Sequence, residues 1–307
     1  MATKPEILRP GDTIGIVTLG SPLLPEAINI GIQTLENMGF SVIVGNYVYS
    51  YSGYISTSEQ QRAADLMNMF TNPNVKAIIS ARGGVGVEGV LQYLDYSVIA
   101  QNPKVFSGYS DITILLNVLY KWSNLITFHS LLLIDFKPGT PAYNYDQFFA
   151  ATSTTISPRK LENPPGMPLI SRVPGNVTGT IVGGNLASFV GSIGTPFEID
   201  TKGKIILIEE VHEPVNTVYR YIHHMISAGK FKECAGIVMG ECSHCTMAYD
   251  KTYEDLINEV MVPLNKPLMT NLATGHGIYK MAIPIGANAN LNTYNNTFTI
   301  LEPTVHV

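Results

Sequence analysis

Over roughly its first 130 residues the chain alternates short β-branched runs with amphipathic stretches, and this rhythm limits the available folds more than any other feature. "TIGIVT" (13–18) is followed by a Gly/Ser/Pro loop and a helical stretch, "PEAINIGIQTLENMGF". "SVIVGN" (41–46), "VKAIIS" (75–80) and "KVFSG" (104–108) are the next strand candidates. Between them lie "TSEQQRAADLMNMFTN", with Thr57 or Ser58 as N-cap, and "VEGVLQYLD", a further predicted helix. Such spacing builds βαβ units and a parallel sheet, with ligands at the carboxyl ends of the strands.

Residues 134–175 break the rhythm with proline-rich segments, "FKPGTPAYNYDQFF" and "SPRKLENPPGMPLISRVPGN". Shorter strands follow: "VTGTIVGG", "KIILIEE", "AGIVMGE", "MAIPIGANANL" and, after an Asn295-Asn296 turn, "TFTILE". The expected organisation is an N-terminal parallel-sheet, Rossmann-like α/β domain over 1–150, a linker over 151–174, and a smaller β-rich α+β domain over 175–307.

Charge narrows the function. The net charge is −5 with no basic run, which argues against a nucleic-acid or anionic-membrane partner. No apolar run reaches the roughly 18–20 residues of a membrane-spanning helix, and the N-terminus lacks the pattern of a signal peptide. Cys234, Cys242 and Cys245 are an odd, clustered set, a poor disulfide framework that suits a reducing compartment. One C-x-x-C without a second pair also falls short of a closed zinc site. A cytoplasmic protein without metal or cofactor is expected.

Three constellations can carry chemistry. "ARGGVGVEGV" contains G-x-G-x-x-G (Gly84, Gly86, Gly89), with Asp111 at the end of the next strand. That is the layout of a dinucleotide site; equally, Gly83-Gly84 can aim backbone amides at a developing oxyanion, or the glycines can simply form a tight turn. In "GYSDIT", Ser110 stands between a strand and a helix, where a side-chain oxygen is exposed above a parallel sheet. Ser110 or Asp111 can also cap that helix. A nucleophilic serine needs a base and an orienting acid. Among the histidines, His223-His224 lie in a helical stretch and His306 in the tail, while His129 follows a strand and can line the cleft or support the elbow. His276 sits between Gly275 and Gly277, in a loop able to present its ring, and Glu209 ends the apolar strand "KIILIEE".

Together these segments resemble the serine LD-carboxypeptidase family, which includes murein tetrapeptide carboxypeptidases and microcin C immunity peptidases. "LRPGDTIGIV" is similar to its first strand, "GYISTSEQQRAADLMNMFTNPNVKAIISARGGVG" to its helix–strand–glycine segment and "GYSDIT" to its nucleophile motif. "GGNLASFVGSIGTP" is similar to the opening of its second domain, and "IILIEE" and "GHG" to the remaining triad motifs. The resemblance implies Ser110 as nucleophile, Glu209 as acid, His276 as base, and the amides of Gly84 and Asp111 as the oxyanion hole. It further implies a homodimer that uses no metal and takes a small peptide, either a murein tetrapeptide losing D-Ala or a peptidyl-nucleotide antibiotic. Val85 replaces a tyrosine common in relatives, Ser130-Leu131 follows His129 in place of Gly-Pro, and "EPVNTVYR" keeps only Pro214 and Arg220 of a longer run. The sole tryptophan, Trp122, is expected to pack in the elbow helix rather than stack on a nucleotide base. Readings from other classes are a nucleotide-dependent oxidoreductase using Gly84, Gly86, Gly89 and Asp111, and a non-catalytic two-domain binding protein.

Overall fold

Runs such as Ile14–Val17 and Ala77–Ser80 leave no polar face, so they need cover on both sides, as strands inside a parallel sheet do. The computed structural model, which describes residues 2–307, places them there. Five strands, β1 (Thr13–Val17), β2 (Ser41–Val44), β3 (Val75–Ser80), β4 (Val105–Gly108) and β5 (Thr127–His129), lie parallel in the order β2-β1-β3-β4-β5. A distant segment, β12 (Ile283–Ile285), closes the sheet antiparallel to β5. The mostly exposed residues of β2 mark the opposite edge.

Five α-helices belong to this unit: α1 (Pro25–Asn37), α2 (Glu59–Thr71), α3 (Tyr96–Gln101), α4 (Thr113–Ser123) and α5 (Ala142–Thr152). Proline opens α1, where a missing N–H costs nothing, and Ile28, Gly31 and Leu35 form its buried face. Ser58 caps α2 by accepting from the Gln61 amide at 3.3 Å. The stretch expected as helix "VEGVLQYLD" is instead a 3-10 helix, Glu88–Tyr93. Strand order reverses between β1 and β3, so the loops after these two strands flank the crevice where open parallel sheets bind ligands.

A second unit is built on eight strands. Its centre, β8 (Asn176–Asn185), β9 (Ile205–Val211), β10 (Gly236–Ser243) and β11 (Leu268–Leu272), is parallel. Antiparallel strands extend it: β13 (Asn288–Asn292), β14 (Thr297–Ile300) and β6 (Arg159–Leu161) beyond β8, and β7 (Ile170–Val173) beyond β11. Its helices include α6 (Leu186–Ser192), α7 (Val215–Ser227) and α8 (Tyr253–Leu256). Contacts divide the chain into residues up to Thr155 with 282–286 and 304–307, and residues 156–281 with 287–303.

Three expectations are corrected. The segment 151–174 is not a bare linker, because β6 and β7 lie within it. Both are edge strands, where neighbouring prolines do not remove ladder hydrogen bonds, so proline content was a misleading sign. "MAIPIGANANL" is not one strand: the chain turns at Gly286 (φ 91°), giving β12 to one sheet and β13 to the other. Cys242 and Cys245 form a disulfide, contrary to the expectation from the cysteine count. A tight turn, with the Cys245 amide donating to Cys242 O, brings their Cα atoms to 5.4 Å, within disulfide range. Burial pushes the remaining thiol, Cys234, up to about 11. Among the described residues no helix is long and apolar enough to cross a membrane.

Phe106 on β4 is fully buried between β3 and β5 and packs against Phe70 of α2. Phe106→Ala is expected to lower the unfolding free energy by about 3–5 kcal/mol, read from urea denaturation.

Candidate active site

In the first unit, β4 ends at Gly108 and the chain enters α4 through a short 3-10 turn, Ser110–Ile112. Ser110 itself has φ 64°, the left-handed region that costs a non-glycine residue about 1–2 kcal/mol. A serine strained at a strand-to-helix turn has the backbone form of a nucleophile elbow. The residue at the cap of this turn is Tyr109, in extended backbone, so Ser110 is not the N-cap.

What holds the elbow is packing from below and the glycine loop from the side. Helix α4 buries Ile114, Leu115, Leu116, Val118 and Leu119, so it cannot move without opening the core. Ser130 N donates to Gly108 O and Ser107 Oγ donates to Leu131 O, fixing the end of β4 to the segment after β5. His129 is fully buried on β5 with its ring edge toward Tyr109, which places it in support of the elbow. Trp122 is 40% exposed and meets Tyr96 edge to face, so it is only partly packed.

Gly83 shows how close the loop comes. A Cβ built on it would lie 2.5 Å from Ser110 Cβ and 3.1 Å from the Asp111 amide nitrogen, so only glycine fits. Gly84 follows with φ 92°, close against Ser21, whose hydroxyl accepts from Val85 N. Asp111 ties loop to elbow by accepting from Val87 N at 2.9 Å. Arg62, almost fully buried, donates to Gly86 O at 2.8 Å and also to the carbonyls of Thr57 and Leu19. Sequence inspection overlooked Arg62, whose only signal was a charge on the apolar face of α2.

These contacts do not form the dinucleotide arrangement that G-x-G-x-x-G suggested. The pattern leads into a 3-10 helix, and the acid expected for ribose is hydrogen-bonded to the loop's own backbone.

In the second unit, Glu209 lies at the carboxyl end of β9, fully buried, and its Oε2 is 2.7 Å from His276 Nδ1. The same oxygen accepts from the His276 amide at 3.3 Å. Gly275 (φ 79°) makes the approach possible: a Cβ there would fall 2.3 Å from Glu209 Oε2. Lys280, also buried, donates from Nζ to Gly275 O at 2.9 Å and to Gly277 O at 2.8 Å, clamping the loop on both sides of His276. Neither Lys280 nor its role was evident beforehand, since a lysine four residues past the histidine has no motif attached to it. Next to Glu209, Glu210 accepts from Asn185 Nδ2, Ala187 N and Val211 N, joining the end of β9 to the start of α6. Burial pushes its carboxyl above the ordinary range.

His223 rests against Tyr219 on α7, His224 is exposed on the same helix, and His306 is exposed in the tail. None of the three is near Glu209 in hydrogen-bonding terms. The described residues contain no group of three His, Cys, Asp or Glu side chains arranged to hold a metal.

Two variants probe these supports. Gly275→Ala drives a methyl group into Glu209 at an unfavourable φ, and is expected to cost about 2–4 kcal/mol in thermal or urea unfolding. Burial raises the Asp111 carboxyl above its ordinary value, outweighing the Val87 hydrogen bond. A carboxyl raised on folding favours the folded state while protonated, and that contribution is lost as pH rises through the raised value. Asp111→Asn keeps an acceptor for Val87 without the charge. Its stability relative to wild type should therefore increase as pH rises through that interval, as urea midpoints across the acid range would show.

Comparison with known proteins places the chain in a family. The LD-carboxypeptidase N-terminal domain matches residues 14–130, and the LD-carboxypeptidase C-terminal domain matches residues 178–291. The probable murein peptide carboxypeptidase of Bacillus subtilis (strain 168) is 33% identical, covering 97% of this chain and 94% of that protein. The microcin C7 self-immunity protein MccF of Escherichia coli is 25% identical, covering 95% of this chain and 94% of its own. The solved structure of MccF in complex with glutamyl sulfamoyl guanosine shares the fold, with a TM-score of 0.93 at 24% identity over 99% of each chain. With both family domains matched in order and a relative one-third identical from end to end, the chain belongs to the LD-carboxypeptidase family.

Proposed function

We propose that this protein is a serine carboxypeptidase that hydrolyses an L,D-peptide bond, releasing C-terminal D-Ala from murein tetrapeptides. The observation that carries the reading is the Glu209–His276 pair, a fully buried carboxylate 2.7 Å from an imidazole nitrogen, in a chain that also holds Ser110 on a left-handed elbow. The B. subtilis relative, named for murein peptides, supports the substrate class.

The chemistry follows from these groups. Glu209 accepts a proton-bearing Nδ1, which fixes the tautomer and leaves Nε2 with its lone pair for general-base work. His276 takes the Ser110 proton as Oγ attacks the carbonyl carbon, and Glu209 stabilises the resulting imidazolium. The oxyanion is assigned to the amides of Gly84 and Asp111, each such donor contributing about 2.7–4 kcal/mol in enzymes of this kind. His276 then protonates the leaving D-Ala amine, and water, deprotonated by the same ring, hydrolyses the acyl-enzyme. The left-handed φ at Ser110 matches the strained backbone of a nucleophile elbow.

The E. coli relative named for microcin C7 self-immunity supports a second substrate for the same machinery, a peptidyl-nucleotide. On the strength of the family resemblance we also place the enzyme as a cytoplasmic homodimer, which sedimentation equilibrium would test.

The deciding experiment incubates the protein with L-Ala-γ-D-Glu-meso-diaminopimelate-D-Ala and follows D-Ala by mass spectrometry. Wild type should release it. Ser110→Ala and His276→Ala should each lower kcat by at least roughly a thousandfold, and Glu209→Gln by about 10³–10⁴-fold. Cleavage of a peptidyl-nucleotide but not the tetrapeptide would select the second substrate. Full activity in Ser110→Ala would reject the mechanism.

A further inference from the structure

We propose that a cavity at the carboxyl ends of β10 and β11 is a subsite for a primary ammonium group of the substrate, with Glu241 as its countercharge. The proposal rests on the carboxypeptidase reading above and concerns the part of the substrate beside the reacting bond.

Position comes first. The cavity has a volume of about 400 Å³, enough for one long side chain, and opens where parallel strands end. Neither Glu209 nor His276 lines it, but two of its lining residues touch the segments that carry them. Gly240 lines it, and a Cβ on Gly240 would lie 3.1 Å from Glu209 Cβ. Glu241 also lines it, and its Oε2 would be 2.3 Å from a Cβ built on Gly277, the residue after His276. The Glu241 carboxylate therefore rests directly against the backbone that carries the histidine.

Charge then selects the ligand. The only cationic side chain of fixed charge in the wall, Arg172, is occupied: its guanidinium pairs with both oxygens of Glu254 at 2.5 and 2.8 Å, and Nε donates to Thr270 Oγ1. Glu241 has no such partner, and its only hydrogen bond is a long one, 3.3 Å, from Ser243 Oγ. The wall thus carries one carboxylate in excess. Tyr253, another lining residue, has its phenol pushed well above the ordinary value by burial and by the negative charge of Glu209 and Glu210, so the surrounding field is negative as well. A carboxylate or phosphate would be repelled here. A metal ion lacks the ligand set, since no three acidic, histidine or cysteine groups converge. A primary ammonium suits both the sign and the number of charges, donating to a carboxylate in a partly desolvated pocket.

In a murein tetrapeptide the residue before the scissile bond has an amine at its far end, alone in a lysine peptide and on the same carbon as a carboxylate in a meso-diaminopimelate peptide. A cavity whose Glu241 touches the residue after His276, and whose carboxylate has no cationic partner, is placed to read that amine. A hydrogen bond to a charged group in such a site is worth about 1.5–3 kcal/mol, which corresponds to roughly tenfold to a hundredfold in kcat/KM.

The test uses three tetrapeptides that differ only in the third residue: meso-diaminopimelate, L-lysine and L-norleucine, the last having no amine. Wild type should prefer lysine over norleucine by at least about tenfold in kcat/KM, with meso-diaminopimelate, whose amine sits beside a carboxylate, between them, and Glu241→Gln should bring the lysine-to-norleucine ratio close to one. Equal turnover of all three by wild type, or an unchanged ratio in Glu241→Gln, would overturn the subsite. Calorimetry on Ser110→Ala with the same peptides separates this proposal from the reading it rests on. Amine-dependent binding without any cleavage by wild type rejects the carboxypeptidase reading and keeps the subsite. Cleavage without amine preference rejects the subsite alone.

Discussion

Glu209 is the point on which the second unit's chemistry turns. A carboxylate with no exposed surface is expensive to bury unless hydrogen bonds meet it, and here the ring and the amide of His276 both meet one oxygen. That arrangement imposes conditions on everything nearby. Gly275 must lack a side chain and must adopt a left-handed backbone, Lys280 must hold the carbonyls on either side of the histidine, and Gly240 must leave room on the adjacent strand. The loop is short and glycine-bearing, yet its hydrogen bonds leave it little freedom.

The elbow in the first unit is built on a different principle. Ser110 sits in a strained backbone region, and the strain is sustained by a fully packed helix on one side and a glycine loop on the other. Asp111, half-buried, and Arg62, buried, each hold one backbone group of that loop, Val87 N and Gly86 O. Burying them costs desolvation free energy, visible in the raised aspartate and lowered arginine pKa. In return the loop is pinned beside the serine, where the proposed oxyanion hole needs its amides in place before charge develops.

The two halves of the proposed triad therefore use unlike means, backbone strain for the nucleophile and a hydrogen bond to a buried carboxyl for the base. Substrate selection draws on a third, the imbalance of charge in a cavity. Arg172 and Glu254 cancel each other, and what remains in that wall to be matched by a ligand is Glu241, whose only hydrogen bond comes from Ser243.

Much of this was legible in the order of residues. Periodicity in the first third identified the parallel sheet, since strands buried on both faces must be continuously apolar. The motifs around Ser110, Glu209 and His276 were visible because each is local: a strand end, a glycine, a reactive side chain. The disulfide, the strand shared out by Gly286 and the edge strands within the proline-rich stretch were not, because each depends on where a segment lies in a sheet or how a turn closes. Lys280, Arg62 and Glu241 escaped for the same reason. Arg62 bonds to distant carbonyls, and the local bonds of Lys280 and Glu241 go to backbone or side-chain atoms with no sequence signature. The sequence by itself determined the fold class and which side chains carry reactive groups, since these follow from local pattern and residue chemistry. Only the tertiary structure decided which buried charges are matched and which glycines admit a neighbour, because both are set by distances between segments far apart in the chain.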